Sequence, residues 1–206
     1  MVRVAVTGGV ATGKSTVLAA LAARGVPTLD LDAICRELVE PGRPELERIR
    51  AEFGRLIGID VAPQGRLERA LLREVISRDE AARARLNAIL HPPAWAEMER
   101  RLADLARAGH RLAAVEVPLL YETGEAARFE AVIVAACPPE VALTRLMARS
   151  NLAREEAEHL TRAQLPLAQK VARADYVVET GGSREEVSRQ VEQILQKLGS
   201  HAGQRA

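Results

Sequence analysis

Apolar residues follow two rhythms along this chain. Short, mainly apolar runs cover residues 2–6, 112–117 and 131–136, and a further β-rich run covers 176–179. Runs this short predict strands, and unbroken ones predict strands buried on both faces. Elsewhere apolar residues recur every three or four positions, the spacing of a helix with one packed face. Residues 14–24 carry Val17, Leu18, Leu21 and Ala22 on one side, and Gly25 is placed to close that helix. Residues 26–31 predict a second strand. Asp32 then stands where the N-cap of a helix over 33–39 belongs. Helical spacing returns at 139–149, 154–173 and 183–198. Strand–helix alternation of this kind predicts an α/β fold with a parallel sheet covered on both faces.

The stretch from about 41 to 109 departs from the alternation. It is helical in pattern and holds no predicted strand. Gly42, Pro44, Gly54, Gly58, Pro63 and Gly65 punctuate its first half. The Pro92-Pro93 pair predicts a break after His91 and a fresh helix through Trp95 to residue 108. The whole stretch therefore reads as an insertion after the second strand. Beyond Gly199 the tail is small and polar, which predicts fraying.

Composition narrows the classes. A length of 206 residues suits one globular domain with a small inserted lobe. A net charge of +1 offers no general attraction to nucleic acid or to an anionic membrane. Aromatics at 2% leave no basic–aromatic surface for single-stranded nucleic acid. No apolar run approaches the roughly 20 residues of a membrane span. The first strand opens at Val2, which leaves no room for a signal peptide. Cys35 and Cys137 are far apart and form no CxxC pair, so a reducing cytoplasm is the expected setting. The oligomeric state stays open between a monomer and a small homo-oligomer.

The candidate chemistry begins at the first strand's end. Gly8-Gly9-Val10-Ala11-Thr12-Gly13-Lys14-Ser15 is a Gly-x-x-x-x-Gly-Lys-Ser phosphate loop between a predicted strand and a predicted helix. Its glycines let the backbone curl until N–H groups point inward at phosphate oxygens. The following helix adds the positive end of its dipole. Lys14 can reach the β- and γ-phosphates, the Ser15 hydroxyl can bind Mg²⁺, and Thr16 is a further contact to an inner phosphate. The chain has 26 arginines and only 3 lysines, so a lysine at position 14 stands against the chain's habit.

A loop of this kind does not say where the last phosphate goes. A GTPase would add an Asn-Lys-x-Asp guanine reader, which the sequence lacks. A translocating ATPase would end a hydrophobic strand in a metal-binding Asp; Glu116 in "AAVEV" is only a partial match. A kinase needs a carboxylate to orient or deprotonate an acceptor hydroxyl. "TLDLDAICREL" supplies Asp30 and Asp32 where ligands of an open α/β sheet bind, and Asp32 lies one step further out. A plain helix N-cap explains Asp32 equally well on local sequence alone.

Six stretches then occur in order: "TGGVATGKSTV", "LDLDAICRELVEPG", "GRLERALLREVI", "LNAILHP", "VEVPLLYETG" and "AQLPLAQKVARADYVVE". Together they resemble the dephospho-CoA kinase family, from about residue 4 to about 192. The resemblance implies a P-loop NTPase three-layer fold with a five-stranded parallel sheet, a helical substrate-lobe insertion over about 41–109 and a helical lid over about 145–170. It implies transfer of the ATP γ-phosphate to the 3′-hydroxyl of dephospho-CoA, the last step of coenzyme A synthesis. It makes Asp32 the general base. It puts Thr7 and Arg36 near the acceptor ribose, Arg69 and His91 in the substrate lobe, and Leu120 and Tyr121 on the pocket with Glu122 nearby. Arg145 and Arg149 fall four apart on the lid helix, so on one face, where they would neutralise the moving phosphoryl group.

Three places depart from the family pattern. Glu116 stands where Asp is common, Ser150-Asn151 where Asp-Gly is common, and Glu179-Thr180 where Asp-Asn is usual. Taken singly, several residues have plainer readings. His91 fits a helix junction, Arg145 and Arg149 fit a solvated helix face, and Gln164, Lys170 and Arg173 fit lid contacts, adenine contacts or plain surface. Another small P-loop kinase, for a nucleoside or a sugar acid, and a nucleotide-gated binding protein are the competing functions.

Overall fold

The computed structural model describes residues 1–57, 67 and 69–203. Five strands form one sheet: β1 (Val2–Gly8), β2 (Thr28–Asp30), β3 (Leu112–Glu116), β4 (Ala131–Ala136) and β5 (Tyr176–Glu179). Their order is β2-β3-β1-β4-β5. The β1–β3, β1–β4 and β4–β5 pairs are parallel, with Val6 opposite Glu116 on one side and Ile133 on the other. β1 is thus the central strand, and the order reverses about it, which makes its C-terminal end the natural ligand crevice.

The helices are α1 (Lys14–Ala22), α2 (Leu31–Leu38), α3 (Pro44–Ile57), α4 (Arg69–Arg78), α5 (Glu80–Arg107), α6 (Pro139–Ser150), α7 (Arg154–Arg162), α8 (Leu167–Val171) and α9 (Arg184–Gly203). A 3₁₀ turn, Glu125–Arg128, precedes β4. No helix of the described residues is long and apolar enough to cross a membrane. The chain divides into two compact units, residues 1–29 with 105–206, and residues 30–104.

In the first unit, α1 and α9 cover one face of the sheet. Val17 and Leu21 of α1 meet Val187, Val191 and Ile194 of α9 over Val4, Val6, Ile133 and Ala135. Arg24 ties the two helices at the rim, donating to Ser188 Oγ at 2.8 Å. α1 closes two residues early. The Gly25 amide donates to Ala22 at 2.9 Å and the Val26 amide to Leu21 at 3.2 Å, the bond pair of a Schellman cap. Ser183 opens α9 with a capping box. Its Oγ takes the Glu186 amide at 3.2 Å, and Glu186 Oε2 takes the Ser183 amide at 2.8 Å. α9 is one helix through Gly203, so the expected fraying beyond 199 does not occur up to that residue.

Among the described residues of the second unit, the regular elements are helices, apart from Asp30 at the end of β2. Val39, Ile49, Phe53, Leu72, Ala82, Leu86 and Ile89 form its core. Gly58, Pro63 and Gly65 lie outside the described residues. The predicted break at Pro92-Pro93 is corrected: α5 is continuous through both prolines. Each proline removes an amide from the helix ladder. One buried stripe nevertheless runs across the pair, with Ala82, Leu86 and Ile89 before it and Trp95, Met98 and Leu102 after it. That common burial holds the two halves in one helical register. Asp79 caps the start, accepting the Ala82 amide at 3.0 Å.

The N-cap expected at Asp32 is also corrected. β2 ends at Asp30, and Asp30 is the cap, with Oδ1 accepting the Ala33 amide at 3.1 Å. Asp32 sits in the first turn of α2. The predicted 154–173 helix is two, because the 163–166 segment, with Pro166, interrupts it.

Candidate active site

The loop from Gly8 to Ser15 joins the central strand to α1, as its sequence context requires. Gly13 has φ +88° and precedes the first helical residue. A Cβ there would stand 2.8 Å from Thr180 Oγ1, so a side chain is excluded by space as well as by conformation. Ala11 takes a left-handed turn without being glycine, at φ +56°. Such a residue costs about 1–2 kcal/mol and persists only where its surroundings hold it.

Those surroundings are visible. The buried Thr180 hydroxyl lies 2.6 Å from the Thr12 carbonyl and 3.0 Å from the Ala136 carbonyl, and its single proton is shared between them. The Thr180 amide donates to Ala136 at 2.7 Å. Inside the loop, Thr12 Oγ1 and Lys14 Nζ both donate to the Gly9 carbonyl, at 3.0 and 2.9 Å. The end of β5 therefore pins the loop to β4.

Two clefts flank the loop. One, of about 530 Å³, is lined by Ala11, Gly13, Ser15 and Thr16 together with Arg145, Arg149, Thr180 and Arg184. It gathers the loop, two arginines of α6 and the β5–α9 turn, and its wall is rich in donors. Arg145 donates to the Thr180 carbonyl at 2.8 Å, so one α6 arginine is anchored to the residue that pins the loop. Arg149 is exposed one helical turn further on. The second cleft, of about 340 Å³, lies against Gly9, Val10 and Thr12 and runs between α6 and the 161–167 segment, with Leu143, Gln164 and Leu165 on its walls. Arg154 holds α7 to α6 through Glu140 at 2.7 Å.

Thr7 is buried, and its hydroxyl donates to the Pro118 carbonyl at 3.2 Å. Leu120 is fully buried and Tyr121 nearly so. The Tyr121 hydroxyl donates to the Arg173 carbonyl at 2.9 Å, and the Arg173 guanidinium lies 4.3 Å from the ring centre. Burial raises the Tyr121 phenol above its ordinary range. Gln164 lines the second cleft, and Arg173 is packed on Tyr121, so neither is a plain surface residue. Lys170 is wholly buried against Glu122.

Asp32, Arg36 and His91 belong to the helical unit. Asp32 and Arg36 are exposed on α2, four residues apart, and Arg36 pairs with Asp30 at 3.2 Å. Between them Cys35 is pushed up to about 11, first by burial and then by the charges of Asp32 and Asp30. Its thiol is therefore kept protonated and is no nucleophile at neutral pH. His91 is half-buried within α5. Arg69 begins α4, and its side chain lies outside the described residues.

Two departures from the family pattern find a physical reason. Asn151 is the left-handed C-cap of α6 at φ +50°, a conformation Asn tolerates nearly as well as Gly. Thr180 replaces an amide side chain with a hydroxyl that reaches two backbone carbonyls. Sequence reasoning gave Thr180 no structural part and left Lys170 open between a contact and a surface charge, because the partners of both at the phosphate loop are far away in sequence.

A central parallel strand, a phosphate loop at its C-terminal end and arginines on the same cleft define a P-loop kinase of the α/β class. The sheet is shared with TT1252 of Thermus thermophilus, 34% identical, with a TM-score of 0.78 over 96% of this chain and 97% of that one. A dephospho-CoA kinase from Campylobacter jejuni, 24% identical, has the same fold, with a TM-score of 0.70 over 97% of this chain and 98% of that one. The dephospho-CoA kinase family model (CoaE) matches residues 2–186. The dephospho-CoA kinase of Anaeromyxobacter dehalogenans is 43% identical over 98% of this chain and 94% of its own. The chain belongs to the dephospho-CoA kinase family.

Proposed function

We propose that the protein transfers the γ-phosphoryl group of ATP to the 3′-hydroxyl of dephospho-CoA, with Asp32 as general base. The observation that carries this reading is the donor-rich cleft, which joins the phosphate loop to Arg145 and Arg149 in a chain of this family. The inward amides and Lys14 hold the β- and γ-phosphates, where their positive charge opposes the charge that develops during transfer. Arg149, with Arg145 behind it, meets the moving phosphoryl group. The 145–170 segment acts as a lid that keeps water from competing with the acceptor.

On the acceptor side, Asp32 takes or orients the 3′-hydroxyl proton, and Arg36, Arg69 and His91 hold the phosphate and adenosine end of dephospho-CoA. Thr7, Leu120 and Tyr121, in the first unit, are further substrate contacts. Mg²⁺ fits the oxygen donors present, the exposed Ser15 hydroxyl and the Glu116 carboxylate at the end of β3. When bound with the nucleotide, it would spread negative charge away from the β- and γ-oxygens. Two free thiols and a small-molecule reaction suit a reducing cytoplasm.

The test is ATP turnover with and without dephospho-CoA, in the natural protein and in Asp32→Asn. Turnover depends on dephospho-CoA, and Asp32→Asn lowers kcat by roughly 10²–10⁴-fold. Turnover indifferent to dephospho-CoA overturns the acceptor, and full activity in Asp32→Asn overturns the base.

A further inference from the structure

Lys170 is an unusual residue in this molecule. It is one of only three lysines, and its side chain is 0% exposed. Lysine is almost never fully buried unless paired. Its partner is Glu122, at 2.8 Å. Two carbonyls complete the set around the ammonium: Gly8 at 3.3 Å and Pro118 at 3.2 Å. An ammonium has three protons, and here three acceptors take them.

Each acceptor belongs to a different part of the site. Gly8 is the last residue of β1 and the first glycine of the phosphate loop. Pro118 follows β3 and also accepts the Thr7 hydroxyl. Glu122 uses the same oxygen to accept the Leu165 amide at 3.0 Å, in the segment that leads from α7 into α8. The ammonium thus lies where the loop's entry, the end of β3 and the return of the lid segment meet. Apolar packing would serve burial as well as a charge pair does, since buried ion pairs stabilise little beyond well-packed apolar residues. A charge here supplies directed bonds to two backbone carbonyls, one of them at the start of the phosphate loop.

We propose that Lys170 is a positioning residue for ATP: its buried ammonium sets the Gly8 carbonyl, and so the start of the phosphate loop, against Pro118 and the lid segment. It acts through the loop, in the way that outer contacts orient the groups that touch a ligand. The proposal rests on the loop binding ATP and is independent of the acceptor, so nucleotide binding without any acceptor is the readout.

The experiment compares Lys170→Met, Glu122→Gln and the Lys170→Met/Glu122→Leu double variant with the natural protein. Thermal melting gives stability, and calorimetric titration with a non-hydrolysable ATP analogue gives affinity. Lys170→Met takes the counter-charge from the partly exposed Glu122 carboxylate and leaves two carbonyls without their buried donor, so its Tm falls. The double variant removes both charges and recovers most of that Tm. Its affinity for the analogue nevertheless stays weakened by roughly tenfold or more, because Gly8 has lost a charged donor. Glu122→Gln keeps the ammonium on Gly8 and Pro118, so its Tm falls while its affinity stays within about twofold. A double variant that melts like the natural protein and binds the analogue equally well overturns the proposal. So does a tenfold loss of affinity in Glu122→Gln, which would assign the effect to charge balance. The Glu122→Gln arm decides the matter even if the double variant does not fold.

Discussion

Asp30 and Asp32 are two residues apart and of one chemical type, and they have separate tasks. Asp30 Oδ1 accepts the Ala33 amide, and Oδ2 pairs with Arg36. Asp32, the second residue of α2, is not the N-cap and is exposed. Asp30→Ala therefore costs about 1 kcal/mol of stability, the usual worth of a cap. Asp32→Ala costs no more than about 0.5 kcal/mol, the worth of an acid near a helix N-terminus. Urea unfolding of the two variants checks the difference, and activity moves the other way. In the sequence both aspartates precede the same helical pattern, and the cap is decided by where β2 stops. Nothing in "TLDLDA" fixes that to one residue. The loop residues were legible because Gly-x-x-x-x-Gly-Lys-Ser encodes its own geometry. Thr180 and Lys170 were not, because their partners lie 168 and 162 residues away.

At the scale of elements, all five strands were legible as short β-rich runs between helical patterns, although β2 is only Thr28–Asp30 where 26–31 was expected. The helix over Pro92-Pro93 was not. Local propensity argues for a break, and a stripe of buried residues on both sides overrides it. The same helix carries an acid-sensitive tie. Glu97 accepts bonds from Arg100 at 2.7–2.8 Å and from Arg101 at 2.7 Å, and Arg101 reaches Glu37 on α2. The bonds from Arg100, then those from Arg101, hold the Glu97 carboxyl down at about 2, below its usual 4.5. Because the folded value is lowered, the stabilisation is full above about 4.5 and is lost as pH falls toward about 2. The group is near the surface, so solvent keeps the contribution under about 1 kcal/mol. Melting curves of Glu97→Gln and the natural protein differ slightly at neutral pH and converge in acid. A difference that persists or grows toward pH 2 contradicts the assignment.

For the molecule as a whole, the proposed mechanism draws its two halves from different units. The phosphate loop, Arg145, Arg149, Thr180 and Lys170 lie in the first, and Asp32, Arg36, Arg69 and His91 in the second. The donor half could be read from residues 8–16 alone, whereas the acceptor emerged only from the order of motifs along nearly the whole chain. Family membership makes dephospho-CoA the acceptor to test first, and the fate of the γ-phosphate is the direct test. The protein is incubated with Mg²⁺, dephospho-CoA and ATP labelled in its γ-phosphate, and the label is located by ³¹P NMR and mass spectrometry of the products. The account predicts the label on the ribose 3′-oxygen, with one ADP formed for each phosphorylated product. Label released as inorganic phosphate, or carried on any other oxygen of dephospho-CoA, contradicts it.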